Sequence, residues 1–178
     1  RPEWDADFAS HFAMRFPLIA AVNGACAGVG LALALFCDLR YGASAAKCTT
    51  AAPRLGLPAE YGMSWQLPRL VGVTRAAELL MTGRVFTPAE TEGWGLWNGV
   101  AADGEGALAM ALDTAHHLAT RVGPRALQTT KRQLHDDVLR ADPAAAIDES
   151  QRLLAGAMAT DEFREGVAAL REKRPPHY

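Results

Sequence analysis

Residues 18–42 read LIAAVNGACAGVGLALALFCDLRYG: a short apolar run, a glycine-dense turn and an almost wholly apolar segment. No other stretch constrains the fold as tightly. Leu18 to Val22 is brief and apolar, the pattern of a buried strand. Asn23-Gly24 breaks it, and Gly24, Gly28 and Gly30 let the backbone turn sharply and lie close to whatever sits above. The apolar run that follows predicts a helix over 29–37. Its first amides lack intrahelical acceptors and stand at the positive end of the helix dipole. Such donors suit an anion, or a carbonyl oxygen gaining negative charge. The same glycines also fit a plainer role, tight packing of helix on strand.

A nucleotide site fits less well. The order is Gly-x-x-x-Gly-x-Gly, not Gly-x-Gly-x-x-Gly, and no Lys-Ser or Lys-Thr follows as in a P-loop. No acidic residue falls at 43–50 to hold a ribose.

The chain has 178 residues, enough for one domain with a substantial core. A net charge of −2 gives no reason to expect nucleic acid. The longest apolar stretch, Leu31 to Cys37, is far too short to span a bilayer. No signal peptide is visible, so a cytoplasmic location without membrane partners is expected. Cys26, Cys37 and Cys48 have no C-x-x-C spacing and read as reduced core thiols, neither ligands nor bridges. The chain begins with Arg1 instead of Met, and it reads as lacking its true start.

Residues 1–16 predict a short helix with Phe8, Phe12 and Phe16 on one face, ended by Pro17. Short strands are expected at 38–42 and 47–50, and residues 53–62, with two prolines and two glycines, read as a loop. A helix is expected from about Gly62 towards Leu70, bent near Pro68. Thr74 is expected to cap a helix over 75–82, stopped by Gly83. Thr87-Pro88-Ala89-Glu90 is a capping box and predicts a short helix ending near Gly93, with a strand over 96–101. Amphipathic helices are then expected at about 105–121, 124–139, 143–159 and 161–172. The fold class is thus α/β, with residues 1–104 forming the α/β core and 105–178 a helical region.

The run Ile19-Ala-Ala-Val-Asn-Gly-x-x-x-Gly-x-Gly, followed by Leu33-Ala-x-x-Cys37-Asp38, resembles the crotonase (enoyl-CoA hydratase/isomerase) superfamily. Arg54-Leu-Gly-Leu-Pro, Leu67-Pro-Arg-Leu-Val-Gly72, Leu80-Met-Thr-Gly-Arg84 and the closing segment from Thr160 to Arg174 fit it in the same order. The resemblance implies stacked ββα units, a helical C-terminal region used in trimer or hexamer contacts, and an acyl-CoA thioester substrate. Coenzyme A is then part of the substrate, and no separate cofactor or metal is expected. It implies that the Val29 N–H is one of two donors to the thioester oxygen. The other donor comes in the family from a loop well before the strand at 18–22, and this chain is expected to start too late to contain it or the early segment that helps hold the nucleotide of coenzyme A.

Hydration in the family resembles a two-carboxylate mechanism, and the matching positions here are Ala32 and Ala52. Neither side chain can polarise water. One carboxylate stands in the right neighbourhood, Glu60, at or near the place where several family isomerases carry a catalytic acid. With an oxyanion hole, one such base is sufficient to move a double bond. Its plainer roles are capping the next helix or pairing with Arg54 or Arg69. Gly24, Ala25, Gly28, Ala32, Ala52, Leu57 and Trp65 are the expected substrate contacts, and Lys173 and Arg174 the candidates for the coenzyme A phosphates. Ser64 lacks the final glycine of a nucleophile elbow and reads as a packing residue. His116, His117 and His135 do not have H-E-x-x-H spacing and read as solvated helix positions. Trp94 and Trp97 are expected in the core or an interface.

Overall fold

The computed structural model describes residues 9–178. Its order follows from pairs of short strands, each pair leading into a helix. Strand β1 (Ile19–Val22) leads through the Asn23-Gly24 turn to β2 (Cys26–Ala27) and helix α2 (Val29–Phe36). Strand β3 (Leu39–Ala43) repeats the pattern, through β4 (Cys48–Thr49) and a 3₁₀ turn at Ala52–Leu55, to α3 (Met63–Val71) and α4 (Val73–Thr82). Like pairs with like. β1 runs parallel to β3, with Ile19 opposite Leu39 and Val22 opposite Gly42, and β2 runs parallel to β4. A third strand, β5 (Gly99–Ala101), joins β3 in parallel and opens the next turn of the repeat, into α5 (Gly104–Arg121). Each parallel step needs a crossover, and α2 supplies the first.

The chain divides into two compact units. One comprises Pro17–Asp113 together with the described residues up to Ala13; the other comprises Met14–Phe16 and Thr114–Tyr178, so the division falls within α5. In the first unit Leu31, Leu35, Met63, Leu67, Leu79, Phe86 and Leu96 are essentially inaccessible and form one apolar core. Each such side chain contributes about 1.5–3 kcal/mol by leaving water. Arg40 of β3 is buried among them. Its Nε donates to Leu96 O at 3.0 Å, and its Nη1 donates to Leu35 O at 3.3 Å and to Cys37 O. Burial pulls its pKa down, opposed by Cys37 and Asp38. A guanidinium there satisfies carbonyls at the negative end of α2. Gly42, in mid-strand, is required by space: a Cβ would lie 2.7 Å from Pro88 Cγ.

The second unit is helical: α6 (Pro124–Val138), α7 (Pro143–Met158) and α8 (Asp161–Glu172). Asp142 and Thr160 cap α7 and α8 by accepting from Ala144 N at 2.9 Å and Phe163 N at 3.2 Å. Gly123 offers α6 no side chain, and the Glu162 carboxylate does so instead, accepting from Arg125 N and Ala126 N at 3.0 and 2.8 Å. Ile147, Leu154 and Leu170 point outward, 58–80% exposed.

Four expectations are corrected. Only Ser10–Ala13 is helical (α1) among the described residues before β1; Phe12 is buried but Phe16 is exposed, and Phe8 lies outside the described residues. The helix expected from Thr74 starts one residue before it, with Gly72 at the cap, so Thr74 is inside. The capping bond at Thr87 does form, from Glu90 N at 3.2 Å, yet no helix follows. Gly93 and Gly95 take positive φ, and the Thr91 hydroxyl donates to Thr87 O while accepting from Trp97 Nε1 at 2.9 Å. The strand expected over 96–101 is confined to Gly99–Ala101, because Leu96 O and Asn98 Oδ1 are taken by Arg40 before pairing begins.

Candidate functional site

Gly28 closes β2 with φ 51 and ψ −120, a conformation that side chains resist. Its N–H donates to Thr49 O at 3.1 Å, and its carbonyl accepts the first intrahelical bond of α2, from Ala32 N at 3.0 Å. The amides of Val29, Gly30 and Leu31 therefore have no acceptor within the helix. Val29 is 47% exposed. Among the described residues, a Cβ placed on Gly24, Gly28 or Gly30 would meet nothing within 4 Å beyond its chain neighbours and its own helix backbone. Helix-on-strand packing thus does not explain these three glycines, and open space lies above the turn.

The register of β2 on β4 sets a second turn beside the first. Ala51 takes φ 60 and ψ −36, and Ala52 N donates back to Thr50 O at 2.7 Å. This three-residue turn at positive φ is rare for a side-chain-bearing residue and stores about 1–3 kcal/mol. Two threonines hold it. Thr49 Oγ1 accepts from Ala51 N at 3.0 Å and donates to Gly83 O at 2.8 Å, and Thr50 Oγ1 donates to Leu79 O at 3.0 Å.

Ala32 and Ala52 are 0% and 1% exposed, so neither side chain has surface to offer a ligand in this arrangement. Leu57, 44% exposed, follows the 3₁₀ turn, its N–H donating to Ala52 O at 3.0 Å. Glu60 comes next and is half-buried. Its backbone carbonyl accepts from Met63 N at 3.0 Å, where Tyr61 and Gly62 take left-handed conformations. Among the described residues its carboxylate has no hydrogen bond and no ion pair. The plainer roles do not form: Gly62 is the cap of α3, and Arg69 lies 3.8 Å over the Trp65 ring while donating to Trp65 O at 2.7 Å. Gly62 packs toward the ring of Phe36, at the opposite end of α2 from Val29.

Trp65 is half-buried on α3. Its indole stacks on Phe36 with centroids 6.5 Å apart, tilts against Phe12 at 6.0 Å, and is covered by Arg69. Ser64 is exposed on α3. Arg174 forms a two-bond pair with Glu165, at 2.6 and 3.1 Å, and a further bond to Glu172, while Lys173 beside it is exposed.

Sequence reasoning missed a cleft of about 410 Å³ at the carboxyl ends of β1, β3 and β5. Asn23, Gly24, Ala25, Lys47, Asp103 and Gly104 line it. Two expected contacts, Gly24 and Ala25, are thus in its lining, and Val29 is not. The ends of parallel strands are a common ligand position, but that required knowing the strands to be parallel. Among the described residues no group of three His, Cys, Asp or Glu side chains could hold a metal, and no helix is long and apolar enough to cross a membrane.

A model of the enoyl-CoA hydratase/isomerase family matches residues 2–178. The mitochondrial methylglutaconyl-CoA hydratase of Mus musculus is 33% identical over 165 residues, covering 91% of this chain and 52% of that protein. The 1,2-epoxyphenylacetyl-CoA isomerase of Escherichia coli K12 is 34% identical over 165 residues, covering 91% and 61%. A crystal structure of a probable enoyl-CoA hydratase/isomerase from Mycobacterium abscessus superposes with a TM-score of 0.89 at 35% identity, covering 93% of this chain and 67% of that one. The chain thus spans about half the length of the mouse protein. The expected stacked ββα architecture is the one observed.

Proposed function

The chain belongs to the enoyl-CoA hydratase/isomerase family, and on that premise we propose that it shifts a double bond in an enoyl-CoA thioester. Glu60 is the acid/base. Its carboxylate takes a proton from one acyl carbon, the charge moves onto the thioester oxygen, and the Val29 N–H stabilises that oxygen. The same carboxyl then returns the proton to the other carbon, so no water is consumed. One observation carries the reading: the Glu60 carboxylate has no bond among the described residues, whereas both positions that the family's hydration mechanism would need acidic are buried alanines. The test is Glu60→Gln with deuterium uptake from solvent into the acyl chain. Loss of exchange is expected, and unchanged exchange removes Glu60 from the mechanism.

Hydration is the second reading, favoured by relatives such as the mouse methylglutaconyl-CoA hydratase. It predicts 3-hydroxyacyl-CoA as product, which the isomerase does not form. Tight acyl-CoA binding with no turnover across a substrate panel defines the third outcome, an acyl-CoA-binding protein without catalysis. Assembly as a homotrimer or hexamer and a cytoplasmic location belong to the same proposal; the outward Ile147, Leu154 and Leu170 support the assembly. Of the two basic candidates for the coenzyme A phosphates, Lys173 makes no ion pair among the described residues and Arg174 is held by Glu165 and Glu172.

A further inference from the structure

Cys26 and Cys48, read from the sequence as reduced core thiols that form no bridge, are direct partners across the parallel pair β2 and β4. Neighbouring strands lie about 4.8 Å apart. That separation falls within the Cα distance of about 4.4–6.8 Å that a disulfide requires. Both backbones are held in place. Cys26 N donates to Lys47 O at 3.0 Å, and Cys48 exchanges two hydrogen bonds with Phe86, at 2.8 and 2.9 Å. Rotation about the side-chain bonds is then the main freedom the two sulfurs have. They differ in burial: Cys48 is 0% exposed, whereas Cys26 is half-buried.

We propose that Cys26 and Cys48 are a reversible dithiol–disulfide pair, oxidised by a peroxide and reduced by a dithiol. The Cys26 thiolate attacks one peroxide oxygen, the O–O bond breaks, and Cys26 becomes a sulfenic acid as the departing hydroxide takes up the proton that the thiol released and leaves as water. The Cys48 sulfur then attacks the Cys26 sulfur, the S–O bond breaks, and the Cys48 proton departs with a second water. Two thiols lose two electrons in all, and one peroxide gains them. The chemistry of the pair supports this order. A hydrogen bond from Cys48 lowers the Cys26 pKa against the opposing effect of burial, and that same bond together with burial raises the Cys48 pKa. The less buried member is thus the better thiolate, and the fully buried one resolves it. The disulfide would staple two strands of two residues each, directly ahead of the Val29 amide.

The test treats the native protein with hydrogen peroxide, quenches it, and counts thiols in denaturant. The count is expected to fall from three to one, with a Cys26–Cys48 peptide in the digest and full recovery in dithiothreitol. Cys26→Ser is expected to keep both remaining thiols under the same treatment, and Cys37→Ser to lose both of its own. Retention of all three thiols overturns the proposal. So does a crosslink involving Cys37, or a sulfinic acid at Cys26 with Cys48 still free. The readout is the thiols themselves, so it stands whether or not Glu60 is catalytic.

Discussion

Replacing Val29 by proline removes one N–H and little else. Val29 is the first residue of α2, and the first intrahelical bond belongs to Ala32. The Val29 amide has no helical acceptor to lose, and proline is favoured at this position. Gly28, at φ 51 and ψ −120, occupies the mirror image of the extended region that a residue before proline adopts, and it has no Cβ to strike the ring. Because the valine is 47% exposed, trimming it costs at most about 1 kcal/mol of burial. Stability is therefore expected to change by about 1 kcal/mol or less. Catalysis should change far more: losing one oxyanion donor lowers kcat by about 100- to 1,000-fold, or about 2.7–4 kcal/mol. The assay is deuterium uptake from solvent into an enoyl-CoA, followed by mass spectrometry, with urea unfolding in parallel. Val29→Ala, which keeps the amide, should exchange at close to the rate of the parent protein. A folded Val29→Pro protein exchanging within about threefold of the parent would remove the amide from the oxyanion hole.

Three further outcomes follow from the packing. Gly42→Ala drives a methyl to 2.7 Å from the buried Pro88 ring; a loss of about 1–3 kcal/mol is expected in urea unfolding, and a neutral result would refute the close approach. Arg40→Leu strips donors from Leu96 O and Cys37 O, leaving Leu35 O its bond from Gln66 Nε2 at 3.0 Å. Two orphaned carbonyls predict a loss of about 2–4 kcal/mol by the same measurement. The bond from Arg174, and then that from His177 N, hold the Glu165 carboxyl at about 2, below its ordinary 4.5. A depressed carboxyl stabilises the fold above its ordinary pKa, and that contribution is lost as pH falls from about 4.5 towards 2. Carboxyl-carbon NMR titration should find this low value in the parent and a return toward the ordinary one in Arg174→Gln.

Local chemistry made much of the fold legible. Asp142-Pro143 and Thr160-Asp161 mark helix starts because capping needs only neighbours in sequence, and α7 and α8 begin there. Gly83 stopped α4 for the same reason, by taking φ 56. What was not legible depends on distant partners. Strands β2 and β4 are two residues each, too short to show any alternation, and their pairing is fixed by the repeat they belong to. The cap on α6 comes from Glu162, 36 residues beyond Ala126. The packing of Trp65 against Phe12, Phe36 and Arg69 is likewise tertiary and leaves no mark in the local sequence. For the candidate site, sequence spacing located the Val29 turn, whereas the strained Ala51 turn, which has no distinctive residue type, became visible only in the backbone angles.

The empty space beside Gly24 and Gly30 has a consequence for how this protein can diverge. Neither takes a positive φ, and among the described residues neither would place a new methyl within 4 Å of any atom beyond its chain neighbours and its own helix backbone. A side chain added at Gly30 even gains helix propensity, about 1 kcal/mol for alanine. The fold is thus indifferent to bulk on the rim of the turn, while anything lying above that turn would feel every added atom. Variation at these two positions can retune what fits there by single steps, without a compensating change elsewhere in the core.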